Sequence, residues 1–99
     1  MKNYELININ EGLSSLADQK LTGRLKFKLF KAKRKVEDAS KLIFETLEGV
    51  ENSEERVEIL DQEQTIELEK FTLEELEGLP LSIRDIGNLE PIIDFEEEA

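Results

Sequence analysis

The sequence contains no cysteine, no histidine and no tryptophan. Without cysteine there is no disulfide framework. Without cysteine and histidine the usual zinc ligand sets are absent, and so is thiol or imidazole catalysis. Ser14 and Ser15 therefore have no histidine base to activate them. Long hydrophobic runs are missing too: no stretch approaches the roughly 20 apolar residues of a membrane span. The opening "MKNYELININ" lacks the apolar centre of a secretory signal, so a soluble intracellular protein is expected. Gly23, Gly49, Gly78 and Gly87 fall in neither GxGxxG nor GxxxxGK[ST] spacing, which excludes those phosphate loops and leaves them as turns or helix ends. No Asp-rich loop of the EF-hand type is present. Glu74, Glu75 and Glu77, and the closing Glu96, Glu97 and Glu98, read as solvated surface rather than as a cation cage.

What is present is charge, in abundance and unevenly placed. The 99 residues, enough for one small domain, carry a net charge of -11. The span from Lys20 to Lys41 holds nine basic and two acidic residues, a net +7, while the rest of the chain is at -18. A body this acidic repels nucleic acid and anionic membrane as a whole. The basic span contains "GRLKFKLFKAKRK", lysines interleaved with phenylalanines. That pattern suits phosphate neutralisation and base stacking. On a helical wheel, however, Lys26, Lys28, Lys31, Lys33, Arg34 and Lys35 spread around the helix and form no single row. The chain's own acidic half is the more economical counterpart.

Apolar spacing divides the chain into elements. Leu6, Ile9, Leu13, Leu16 and Ala17 predict a first helix over 4–19, with Asn3 as its cap and Gly12 as a weak point. Leu25, Leu29, Ala32, Val36, Ala39, Ile43 and Leu47 form one continuous stripe of about six turns. This second helix has Thr22 as its expected cap and Gly49 as its stop. Its charge order, basic first and acidic last, opposes the helix macrodipole. Phe27 and Phe30 lie opposite the stripe and Phe44 lies off it, giving the helix a second apolar face that the C-terminal half or another chain must cover.

"ENSEERVEILDQEQ" predicts a short helix capped by Ser53, with a hairpin strand at "RVEIL" as the alternative. "TIELEKF" predicts a strand. Two capping boxes follow, Thr72 with Glu75 and Ser82 with Asp85. Gly78 and Pro80 end the first of these helices, and Pro91 bounds the second.

The order "ELININEGLSSLADQKLTGRLKFKLFKAKRKVEDASKLI" and then "TIELEKFTLEELEGLPLSIRDIGNLEPII" resembles a family of small phage and prophage proteins of unknown function from low-GC Gram-positive bacteria. The resemblance covers nearly the whole chain. It rests on the rhythm of Leu13, Leu16, Ala17, Leu21 and Leu25, and on Leu73, Leu76, Glu77, Leu79, Leu81 and Ser82. The chain is shorter than many members between Leu47 and Thr65. The resemblance implies a phage context and brings no activity or functional residues with it.

These readings predict a single α+β domain, mainly α. A helical hairpin over 1–49 leads through a connector or short helix at 50–64 to a strand and mini-helices over 65–95, which are expected to fold back on the second helix over its Phe27 and Phe30 face. An acidic tail fills 96–99. A non-enzymatic protein is expected, with no cofactor and no metal, acting through protein contacts in the bacterial host cytoplasm or as part of a virion. Self-assembly through Phe27, Phe30 and Arg34 is the leading expectation. The alternative is an acidic modulator of a host protein. Nucleic-acid binding through Lys26, Lys28, Lys31, Lys33 and Lys35 is the weakest reading, and no membrane partner is expected.

Overall fold

The computed structural model describes residues 1–21 and 23–95. Thr22, the expected cap, and the acidic tail lie outside them. Helix α1 (Asn3–Ala17) and helix α2 (Gly23–Glu48) form the predicted hairpin. The 26 residues of α2 span about 39 Å at 1.5 Å per residue and set the long dimension of a body measuring 43 × 28 × 24 Å. Helix α3 (Ser53–Asp61) follows. Strand β1 (Phe71–Thr72) then runs directly into helix α4 (Leu73–Leu76). Helix α5 (Ile83–Leu89), a 3₁₀ turn (Glu90–Ile92) carrying Pro91, and strand β2 (Ile93–Asp94) complete the chain.

The core is the α2 stripe packed on α1. Leu29, Ala32, Val36, Ala39, Ile43 and Leu47 are buried, with Leu25 packed at the margin. From α1 come Leu6, Ile9, Leu13 and Leu16. Ala17, expected among them, is exposed because the helix ends there. The buried arc of α1 is broad enough for two neighbours. At one edge Asn10 Oδ1 accepts from Lys33 of α2 at 2.9 Å. At the other edge Gly12 lies against α5, where an added Cβ would sit 2.7 Å from Leu89 Cγ. Gly12, a weak point in helix propensity, is thus the close-approach point that lets α5 dock.

Asn3 does not cap α1. Lys2 takes that position, its amide donating to Glu5 Oε1 at 2.8 Å. Asn3 is buried, donating to the Ile59 carbonyl at 2.7 Å and accepting from Gln64 Nε2 at 2.7 Å. It therefore ties α1 to the end of α3, a tertiary role that local sequence does not announce.

The cap of α3 is Asn52 rather than Ser53, its side chain accepting from the Glu54 and Glu55 amides. The helical alternative for this segment is the one formed. The predicted strand over 65–71 shrinks to Phe71–Thr72, because its only paired partner is the two-residue β2, in parallel register Phe71↔Ile93 and Thr72↔Asp94. Both capping boxes form as predicted, with Thr72 Oγ1 accepting from the Glu75 amide and Ser82 Oγ from that of Asp85, each at 3.0 Å. Gly78 turns the chain out of α4 at φ 84°, a conformation that costs glycine little.

The opposed macrodipole of α2 is answered from outside the helix. Arg56 of α3 donates to the Leu47 carbonyl at 2.9 Å and the Val50 carbonyl at 3.0 Å. A cation is thereby placed at the acidic C-terminus of α2, where unsatisfied carbonyls favour it.

Candidate protein-interaction surfaces

The basic span of α2 separates into tied and untied cations. Lys28 is the most constrained. Its Nζ donates to Glu75 Oε1 at 2.8 Å and to the Lys70 carbonyl at 2.6 Å, and it stands 5.0 Å from the centre of the Phe71 ring. Burial pushes the Glu75 carboxyl up. The bonds from Lys28 and from the Thr72 amide outweigh it and hold the group below the ordinary carboxylate range. Glu75 therefore serves twice, closing the capping box of α4 and anchoring β1 and α4 to α2.

Lys33 is held by Asn10 and by Glu37 one turn on, and Lys35 donates to the Glu67 carbonyl at 3.1 Å. The extended segment 65–70 thus lies along α2 by offering carbonyls to lysines. Among the described residues, Lys26, Lys31 and Arg34 make no ion pair. The lysines expected to meet phosphate or an acidic surface are in this way dispersed among different tasks, and they present no aligned row.

Phe27 and Phe30 are not covered by the C-terminal half. That half packs instead on α1 and along the Lys28 edge of α2. Gly12 permits the close approach of α5 to α1, and Glu75 holds β1 and α4 at Lys28, so the C-terminal half is committed to other faces. Phe27 remains 69% exposed and Phe30 62%. Spaced three residues apart, the rings are neighbours on one helix face. They line a shallow depression with Lys31, Arg34, Lys35 and Asp38. Phe44, also off the stripe, is exposed as well.

A second surface was not legible in the sequence. Between α4, the Leu79–Leu81 loop and β2 lies a solvent-open groove of about 810 Å³. Leu76, Leu79, Leu81 and Phe95 are among its lining residues, and exposed Glu74 and Glu77 contribute carboxylates. Spacing gives no cue to it, because its wall comes from β2, far along the chain. The one available signal was Leu79 and Leu81 flanking Pro80, apolar side chains beyond the end of the capped helix. Glu74 and Glu77 read only as solvated surface.

Ser14 and Ser15 bond back to carbonyls of their own helix, those of Asn10 and Glu11. Among the described residues no three acidic side chains converge on a possible cation position, and no helix is long and apolar enough to cross a membrane. Comparison of the chain with protein-family profiles, curated proteins and solved structures finds no match.

Proposed function

We propose that the protein acts without catalysis, by protein–protein contact, and that self-association through the Phe27 and Phe30 ridge is its central property. The observation that supports this reading is the exposure of two adjacent phenyl rings on the 26-residue helix α2, bordered by Lys31 and Arg34, which make no ion pair among the described residues. Large aromatics and arginine on a preformed surface are the residue types that dominate binding at protein interfaces. A part in the assembly of a phage particle is the setting that the sequence resemblance favours.

Light scattering on the purified chain tests the reading. A mass above the 11.4 kDa of one chain is expected, and it should persist in high salt, because salt screens the mutual repulsion of copies at -11 while leaving apolar burial intact. The double substitution Phe27→Ser, Phe30→Ser should return the mass to that of one chain. A wild-type chain that stays at single-chain mass at hundreds of micromolar would refute self-association.

A second reading has its own observation. Helix α3 has no buried side chain and exposes Glu54, Glu55 and Glu58, a carboxylate surface suited to engaging a basic host protein. This modulator reading predicts a partner whose binding falls steeply with salt and is lost on reversing those three charges. Capture that ignores salt would refute it.

A further inference from the structure

The ridge on α2 needs a complementary surface, and the same molecule carries one. We propose that Phe27 and Phe30 of one copy seat in the groove between α4, the Leu79–Leu81 loop and β2 of a second copy. The inference rests on the self-association reading and adds to it the identity of the receiving surface.

The two surfaces match in chemistry and in sign of charge. The groove has a mixed lining, apolar at Leu76, Leu79, Leu81 and Phe95 and acidic at the exposed Glu74 and Glu77. The ridge is two phenyl rings bordered by Lys31, Arg34, Lys35 and one acid, Asp38; Lys31 and Arg34 make no ion pair among the described residues. At about 810 Å³ the groove falls within the size range of pockets that enclose small organic groups. Two rings three residues apart on a helix are neighbours and present one apolar patch rather than separate anchors.

Charge also argues against the simplest alternative, the ridge packing on itself. A two-fold contact centred on Phe27 and Phe30 would bring Arg24, Lys26, Lys31 and Arg34 of both copies together, and juxtaposed like charges oppose association. At -11 overall, charge favours the contact only where the basic half of α2 meets acidic surface, while apolar burial supplies the part that salt leaves intact. The groove supplies acidic surface and apolar cover in one place.

Ridge and groove share no residue, so the contact joins unlike surfaces. A pair joined by one such contact keeps one groove free on the first copy and one ridge free on the second. The assembly therefore grows into a ring or filament unless two copies close reciprocally.

Two variants separate the surfaces. Phe27→Ser with Phe30→Ser removes the ridge and keeps the groove. Glu74→Lys with Glu77→Lys reverses the groove's charge and keeps the ridge. Each alone should weaken association by about thirtyfold, the scale of a lost hot spot, with an unchanged helical circular dichroism spectrum. Mixed in equal amounts, the two should give a species of two chains and nothing larger, because only one intact ridge and one intact groove remain.

A charge swap gives a second, independent arm. Lys31→Glu with Arg34→Glu should disrupt assembly, and combining it with Glu74→Lys and Glu77→Lys in one chain should restore it. If the groove variant assembles like wild type, or the mixture stays at single-chain mass and the swap fails to rescue, the groove is not the seat, while self-association through the ridge still stands. If the wild-type chain itself never exceeds single-chain mass, both proposals fall.

Discussion

Gly12 and Glu75 each do more than their local sequence requires. In an isolated helix Gly12→Ala would gain about 1 kcal/mol. Here the new methyl meets Leu89 Cγ at 2.7 Å and Cδ2 at 2.8 Å, and overpacking of this kind costs about 1–3 kcal/mol. The expected net result is destabilisation, read as a lower urea midpoint with an unchanged slope.

Glu75 makes a prediction with pH. Its carboxyl is held below the ordinary range in the folded chain, so the folded state binds its proton less readily than the unfolded state does. The resulting stability is fully present above the unfolded value and is lost as pH falls through the lower, folded one. Glu75→Gln should cost about 1–2 kcal/mol near neutrality, since it forfeits a charge-assisted bond that is largely shielded from solvent. That difference from wild type should shrink as the medium is acidified below the ordinary glutamate range. Denaturation of both chains across pH checks it; a gap that stays constant into acid would show that Glu75 carries no linked proton.

Among elements, legibility followed the range of the forces involved. The α2 stripe and both capping boxes were readable because their partners lie within four residues of one another. The role of Asn3 was not, since its partners Ile59 and Gln64 belong to another part of the chain. Strand β1 was overestimated for a related reason. Alternation from Thr65 to Phe71 describes a surface half of which is apolar, but a strand also needs a neighbour, and only Phe71 and Thr72 have one. Phe27 and Phe30 were visible as residues off the stripe; that the C-terminal half leaves them exposed was not.

Arg56 is another link of this long-range kind. It is the cation that α2 itself does not place at its C-terminus, where its own sequence ends acidic. Arg56→Ala should lower stability by about 1 kcal/mol, the usual scale of a lost helix-end contact. Arg56→Lys should recover most of this, because both carbonyls accept from the single Nη1 and one ammonium has donors enough for two acceptors. Thermal unfolding of the pair of variants gives the comparison.

The whole molecule is organised around α1, which packs against α2, α3, α5 and the 3₁₀ turn. The hairpin is therefore not a free-standing unit with an appendage. A chain ended after Gln64 would leave the Leu89, Ile92 and Ile93 part of the core empty and bare the Gly12 edge of α1. It should show residual helix by circular dichroism and no cooperative thermal transition. A sharp transition in that shortened chain would mean that the hairpin suffices alone. The mainly α architecture with a short strand was readable from the order of its elements; the parallel partner β2 at Ile93–Asp94 and the way the halves close on each other were not.

The seam between Gly12 and Leu89 joins nearly opposite ends of the chain, and that bears on how the protein comes into being. During synthesis the α1–α2 hairpin emerges first, and α1 must wait with one flank bare until α5 has left the ribosome. Contacts so distant in sequence slow folding relative to a simple helical hairpin. The unfinished nascent chain is also where apolar surface is exposed to unintended neighbours. The acidity of the later half, delivered last, then reaches a hairpin whose basic flank is already in place to receive it.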